Sequence, residues 1–306
     1  MRTKEFLQAL STFSDSKATW LSYGQALFRF EAFLKERGLR INQVVRSTII
    51  DYIEYLKTHT GRIKGDALAP ASINLNLAAL SMYFDWDRGE NEDRRPNPVA
   101  LIKRPRIRKR KPNPVDEGVL TELIDGITDS RDKALILCFL YSGLRLHEMT
   151  QLNRDSITLR RHLLPDGSSE YYGEATVIGK GNKSRDFIVG PPAVIAIRAY
   201  LKESRAADAL PPLFLSSRKT RLSCRAIEQV LAKWCDRLNI DHLHPHRLRH
   251  SFATRNLDAG MTFPVIARLM GHGSITVTEG YTEIPRARQK REYFAAMEQL
   301  RSKAAA

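Results

Sequence analysis

Apolar residues return every three or four positions in three stretches of the amino-terminal part of the chain, residues 16–38, 49–56 and 72–86. That spacing places them on one face of an α-helix. Aromatic residues belong to the same stripes, and at helical spacing they indicate a packed core rather than platforms for stacking bases. The pattern predicts a small helical domain over residues 1–90. Its predicted core residues are Trp20, Tyr23, Leu27, Phe30, Leu34, Ile49, Ile50, Ile53, Leu56, Ile73, Leu77, Leu80 and Phe84.

The helical spacing disappears between residues 91 and 115, where five prolines surround the run KRPRIRKRK at 103–111. Proline-rich sequence without periodicity predicts a linker. The basic run is either a solvated tether or a strap laid along DNA phosphates, and its composition favours the strap. The predicted DNA contacts in it are Arg104, Arg106, Arg108, Lys109 and Arg110.

Residues 116–306 form a second predicted domain, in which helical segments alternate with one pair of strands. Val177-Ile178 and Phe187-Ile188-Val189 flank the glycine-containing turn GKGNKSR, as in a β-hairpin. Helical spacing returns at 224–238, 248–257 and 263–269. The predicted fold is therefore mainly α-helical with a small antiparallel β-sheet.

The charge of the chain narrows its possible partners. Its 306 residues carry 49 Lys and Arg against 34 Asp and Glu, a formal charge of +15, and a protein this basic needs a polyanion, usually nucleic acid. An apolar run of about 18 residues and a signal-peptide pattern are both missing, so we expect a soluble intracellular protein without a membrane partner. Three cysteines without paired spacing, Cys138, Cys224 and Cys235, predict neither disulfides nor a metal site.

Four motifs in the second domain carry groups suited to phosphate chemistry. In SGLRLHEMTQL, residues 142–152, Arg145 stands at the start of a helix, where it could grip a phosphate with two N–H groups. In GKGNKSR, residues 179–185, Lys180 stands on the turn of the hairpin. The nucleotide-binding pattern GxxxxGK[ST] does not occur here.

The other two motifs lie nearer the carboxyl end. In HPHRLRHSFATRNLDAG, residues 244–260, a helix beginning near Pro245 would put His246 and Arg249 on one face. Metal binding is disfavoured because carboxylate and cysteine partners are missing. In LMGHGSITVTEGYTEI, residues 269–284, Tyr281 follows His272 by nine positions.

Taken together, the four motifs resemble the tyrosine recombinase, or phage integrase, family. The family pattern runs GLRxxE, GKGxKxR, PHxLRH, LGH and a tyrosine nine positions later, and this chain departs from it only at Met270. The resemblance implies a helical core-binding, SAM-like domain followed by a mixed α/β catalytic domain. It also implies a site-specific recombinase that cleaves and rejoins duplex DNA through a 3′-phosphotyrosine intermediate.

The resemblance also implies a role for each matching residue. Arg145 and Arg249 would clamp the scissile phosphate, with Glu148 supporting the first arginine. Lys180, favoured by the pattern over Lys183, would be the general acid. The site would be completed by His246, His272 and the nucleophile Tyr281.

The mechanism so implied needs no cofactor. A phosphotyrosine link conserves the bond energy, so religation needs neither ATP nor a metal ion. His246 is the candidate that accepts the tyrosine proton. The alternatives are a type IB topoisomerase with a similar site and a catalytically silent DNA-binding regulator on the same fold.

The carboxyl-terminal segment has its own apolar stripe, formed by Tyr293, Phe294, Met297 and Leu300 at helical spacing. Such a helix needs a surface on which to dock, either in its own domain or on a neighbouring subunit. We expect a homo-oligomer, a tetramer on paired DNA sites, assembled through this tail. We also expect a cytoplasmic, nucleoid-associated protein, whose target sequence and biological role stay open.

Overall fold

The computed structural model divides the chain into two compact units, residues 1–110 and 111–306. No helix of the described chain combines the length and apolar character needed to cross a membrane. The residues described are 1–13, 17–58, 67–92, 95–107, 114–164, 166–178, 184–206, 208–271 and 286–304.

The first unit is helical, as the spacing of its apolar residues predicts. A 3₁₀ turn at Ile41–Gln43 connects the second helix to the third. The helices are α1 (Thr3–Phe13), α2 (Lys17–Glu36), α3 (Arg46–Thr58) and α4 (Pro70–Glu90).

Aromatic rings form much of the core of this unit. Phe30 is fully buried, and its ring centroid lies 4.8 Å from that of Tyr52. The Tyr52 hydroxyl donates to the buried amide oxygen of Asn76 at 3.2 Å, so both of these buried polar groups have a partner. The predicted aromatic core is confirmed at Phe30. The prediction was wrong at Ile50, which is 47% exposed because it lies one position round α3 from the buried Ile49.

The chain after α4 packs on the same unit. Val99 is 4% exposed and lies in the core, and the amide nitrogen of Asn97 donates to the Asp85 carboxylate at 2.7 Å. The amide nitrogen of Asn74 donates to the carbonyl of Pro105 at 3.0 Å. Residues 97–105 thus lie along α4.

The second unit combines helices with one antiparallel sheet of strand order β1-β2-β3. The pairing of Val177 with Arg185 confirms the predicted hairpin. Strand β1 was not predicted, because most of its side chains are exposed and it lacks an apolar alternation. The elements are α5 (Glu117–Gly126), α6 (Ser130–Ser142), α7 (Leu146–Gln151), β1 (Thr158–Leu163), β2 (Ser169–Ile178), β3 (Ser184–Val189), α8 (Pro191–Ser204), α9 (Cys224–Leu238), α10 (Pro245–Asp258), α11 (Phe263–Met270) and α12 (Arg286–Ala304).

Helix α6 is the central element of this unit. Every residue from Ala134 to Leu140 is buried, and the helix packs against α8 and α10. The carboxylate of Asp129 accepts the backbone N–H of Asp132 at 2.9 Å and caps its start. The helix ends at Ser142 and is capped by Gly143, two residues before Arg145, so the first motif begins at the end of a buried helix.

Helix α12 covers its apolar stripe within its own unit. Tyr293 is fully buried, and its hydroxyl donates to the carbonyl of Tyr141 at 2.9 Å. Phe294 and Met297 are buried in the same cluster, beside Phe252. Of the two docking surfaces considered for this helix, the structure has the one on its own subunit.

Candidate active site

Arg145 is held at the amino end of α7 by Glu148. The Arg145 backbone N–H donates to Oε2 of Glu148 at 2.8 Å, and its Nη1 donates to Oε1 at 2.9 Å. The remaining terminal nitrogen, Nη2, donates to the carbonyl of Gly271 at 2.5 Å. The side chain is 41% exposed, so a guanidinium fixed on one side faces solvent on the other.

Arg249 lies on the inner face of α10, which begins at Pro245 as expected. Arg249 is buried, with only 3% of its surface exposed. Nη1 donates to the carbonyl of Gly143 and Nη2 to that of Met270, the latter at 2.7 Å. Burial and the nearby charge of Arg145 lower its pKa to about 9, so the guanidinium still carries its charge at neutral pH.

A third arginine, Arg185, enters the same cluster from strand β3. Its Nη2 donates to Oε2 of Glu148 at 2.6 Å, its Nε to Oε1 at 3.3 Å, and its Nη1 to the carbonyl of Leu269. The sequence analysis assigned no role to Arg185. The available signal was its place as the last residue of GKGNKSR.

The carboxyl end of α11 brings the four motifs together. The last two carbonyls of α11, those of Leu269 and Met270, and the carbonyl of its C-cap residue Gly271 accept hydrogen bonds from Arg185, Arg249 and Arg145 in that order. These carbonyls have no partner inside the helix, and the helix dipole adds partial negative charge there. Three cations from three parts of the chain are therefore drawn to one helix end.

His246 lies beside the arginines on the exposed side of α10. Its ring centroid is 4.5 Å from that of His250, in an edge-to-face arrangement. Partial burial, with the charges of His250, Arg249 and Arg145, lowers its pKa. The imidazole is thus neutral at pH 7 and able to accept a proton.

A groove of about 450 Å³ opens over these groups. Three potential phosphate ligands line it, Arg145, His246 and Arg249, together with His147 and Glu228. Two guanidiniums and a neutral imidazole can bind a phosphodiester and take up a proton. Among the described residues, no three His, Cys, Asp or Glu side chains come together as a metal site requires.

Several predicted site residues lie outside the described residues. These are Lys180, His272, Tyr281, Arg108, Lys109 and Arg110. The described residues end at Ile178 before Lys180 and begin again at Ser184, and they reach Gly271 directly before His272. Arg104 and Arg106 are described and exposed.

Comparisons with known proteins show the family of the chain. Residues 115–288 match the model of the phage integrase family, and residues 3–91 match the phage integrase N-terminal SAM-like domain. Tyrosine recombinase XerC of Chromohalobacter salexigens is 32% identical over 290 residues, covering 92% of this chain and 90% of that protein. Tyrosine recombinase XerC of Actinobacillus pleuropneumoniae serotype 7 is 30% identical over 298 residues, covering 90% and 91%.

A solved structure with the same fold is a lambda integrase tetramer bound to a Holliday junction. It matches with a TM-score of 0.66 at 14% identity, covering 91% of this chain and 78% of that one. The family match extends over more than half of the chain and includes all four motifs. The chain therefore belongs to the phage integrase family of tyrosine recombinases and is a site-specific DNA recombinase.

Proposed function

We propose that this recombinase cleaves duplex DNA by attack of Tyr281 on a backbone phosphate that Arg145 and Arg249 hold. The observation that carries the proposal is the meeting of both guanidiniums at the end of α11, directly before the segment that contains His272 and Tyr281. Arg145 reaches the groove with its exposed side, while Arg249 adds a desolvated charge behind it.

The two arginines suit the charge that the reaction creates. A phosphodiester has one negative charge, and attack by the tyrosine oxygen builds a second one on the non-bridging oxygens. Fixed donors beside those oxygens stabilise the transition state, and removing one such donor typically slows a reaction about 10²- to 10³-fold. His272 is proposed to add a further donor.

Two protons move in the proposed step. Tyr281 gives its proton to His246 as the bond from its oxygen to phosphorus forms. The bond from phosphorus to the deoxyribose 5′-oxygen breaks, and Lys180 protonates that oxygen. The product is a 3′-phosphotyrosine with a free 5′-hydroxyl, and the reverse reaction with another 5′-hydroxyl rejoins the strand.

We also propose that the protein acts on paired DNA sites as a homotetramer, with α12 as the connecting element. The assembly of the lambda integrase as a tetramer on a Holliday junction supports this proposal. The apolar cluster around Phe252 that packs against Tyr293 and Phe294 within one subunit would offer the same contacts to α12 of a second copy. The formal charge of +15 supports residence on nucleoid DNA.

Trapping the covalent complex tests the chemistry and also identifies the target site. Denaturing isolation of the protein from expressing cells should recover attached DNA, and its sequence defines a synthetic duplex. A nick close to the scissile phosphate lets the short fragment diffuse away, so the complex accumulates. Tyr281→Phe should fold and bind this duplex without forming the complex. Two labelled duplexes should exchange strands. A type IB topoisomerase, which only relaxes DNA, would not produce this exchange.

The position of the link decides the assignment. Peptide mapping should place it at Tyr281, on a 3′ phosphate. Attachment at Tyr293, at a serine or to a 5′ phosphate would overturn the proposed chemistry.

A further inference from the structure

Arg185 is placed to act on the catalytic arginine rather than on DNA. Its side chain is 9% exposed, whereas that of Arg145 is 41% exposed. Among the described residues, the polar contacts of its guanidinium go to Glu148 and to the Leu269 carbonyl. A phosphate in the groove would therefore meet Arg145 and not Arg185.

Glu148 divides its carboxylate between the two arginines. Oε1 accepts from Nη1 of Arg145 at 2.9 Å and from Nε of Arg185 at 3.3 Å. Oε2 accepts from the backbone of Arg145 at 2.8 Å and from Nη2 of Arg185 at 2.6 Å. Two positive charges thus share one negative charge, and the three side chains together keep a net charge of +1.

The Glu148 carboxyl is ionised because of these bonds. Burial by itself would raise its pKa, but the hydrogen bonds from Arg185 and Arg145 outweigh that effect and lower it. If Arg185 were absent, the carboxylate would have only Arg145 as a cationic partner. A one-to-one pair would neutralise Arg145 and draw its free N–H groups away from the groove.

We propose that Arg185 is a positioning residue, which occupies Glu148 so that the charge and the free donors of Arg145 stay available to the scissile phosphate. The inference rests on the proposed function of Arg145. According to this inference, Arg185 affects the rate of the chemical step and does not affect the affinity for DNA.

The first measurement separates rate from affinity on the nicked duplex defined above. At saturating protein, Arg185→Gln should slow single-turnover cleavage about 10- to 100-fold, by analogy with the loss seen when a group that orients a metal ligand is removed. The dissociation constant for the duplex should change less than about twofold. Arg185→Lys keeps the charge and one donor, and it should recover most of the rate.

A matched control is Arg131, which lies outside the groove. Like Arg185, it donates to a buried carboxylate, that of Asp132 at 2.7 Å, and to a main-chain carbonyl, that of Leu215 at 2.9 Å. Arg131→Gln should change thermal stability while leaving the cleavage rate near that of the wild type.

The second measurement tests whether the slower cleavage by Arg185→Gln depends on the negative charge of the scissile phosphate. In a methylphosphonate duplex, a methyl group replaces one non-bridging oxygen, and the scissile group is uncharged. The rate difference between wild type and Arg185→Gln should shrink to a few fold on this substrate. An equal loss on both substrates, or a loss in affinity instead of rate, would overturn the role of Arg185.

Arg185→Lys, measured on both substrates, decides the question if Arg185→Gln does not fold. Its smaller loss should also shrink on the methylphosphonate. A wild-type protein that forms no Tyr281 link would overturn the proposed function and this inference with it. Normal wild-type cleavage with an unchanged Arg185→Gln rate would overturn this inference alone.

Discussion

Gly271 lies against Arg185 so closely that a β-carbon at position 271 would overlap Cδ of Arg185. Its backbone φ is +65°, in the left-handed region, and it ends α11. The same residue supplies the carbonyl that holds Arg145. Because position 271 is a glycine, Arg145 and Arg185 can both lie against the end of α11.

Gly271→Ala should lower both stability and the cleavage rate. The left-handed conformation alone costs about 1–2 kcal/mol for a residue with a β-carbon, and the overlap with Arg185 adds about 1–3 kcal/mol. Gly260→Ala is the matched control, since its φ is +82° but the nearest atom to its β-carbon is 3.7 Å away. Equal losses of unfolding free energy in the two variants would contradict the crowding at Gly271.

The pH dependence of cleavage should report on His246. Partial burial and the nearby His250, Arg249 and Arg145 lower its pKa. The neutral form, which accepts a proton, is thus lost only as the pH falls through a value below about 6.5. Single-turnover rates should rise with pH across that lower range and then level off. His246→Gln should lose this rising part, and an unchanged profile would exclude His246 as the base.

Lys180→Ala should strongly slow cleavage of ordinary DNA. A substrate with sulfur in place of the bridging 5′-oxygen releases a thiolate, which needs no proton, so the variant should cleave it at close to the wild-type rate. Lys183→Ala is the control, three positions further along the same motif, and should affect neither substrate strongly. Equal losses of Lys180→Ala on both substrates would show that Lys180 is not the general acid.

The basic run should contribute to DNA affinity through phosphate contacts. Each contact that is lost reduces the slope of log affinity against log salt by about 0.9. A variant with five neutral replacements should therefore bind more weakly and show a flatter slope, as measured by salt titration on the identified duplex. A slope equal to that of the wild type would exclude the strap. The replaced residues are Arg104, Arg106, Arg108, Lys109 and Arg110.

The buried Asp132 should contribute to stability in a pH-dependent way. Burial alone would raise its pKa, but hydrogen bonds from Lys233 at 2.6 Å, Trp234 at 2.8 Å and Arg131 at 2.7 Å outweigh it, and the pKa is lowered. The contribution is present above the unfolded pKa of about 3.9 and is lost as the pH falls toward the folded pKa.

Asp132→Asn should cost about 1–3 kcal/mol at pH 7, because it weakens the charge-assisted hydrogen bonds from Lys233 and Arg131, whose side chains are 39% and 23% exposed. It should also flatten the acid side of the stability profile measured by urea unfolding. The exposed pair of Asp51 and Arg37, at 3.8 Å, provides the comparison, and Asp51→Asn should change stability little. A similar small change in Asp132→Asn would contradict the prediction.

Local structure was largely determined by the sequence itself. The apolar spacing predicted α2, α3 and α4 of the first unit but not α1, the turn GKGNKSR predicted the β2–β3 hairpin, and Pro245 marked the start of α10. These features follow from the geometry of a short stretch of chain, so one stretch is enough to reveal them. Strand β1 was not predicted, because it is mostly exposed and its apolar and polar residues do not alternate.

The partners of the buried polar groups were decided only by the tertiary structure. Arg185 meets Glu148 across 37 positions of sequence, and Arg145 meets Gly271 across 126. Apolar spacing predicts which face of an element is buried, since burial is favourable wherever the core lies. A buried charge instead needs one particular partner at hydrogen-bond distance, and that partner arrives only when distant elements pack together. The sequence alone thus determined which arginines the motifs contain, and packing around the end of α11 decided which of them faces the groove and which supports it.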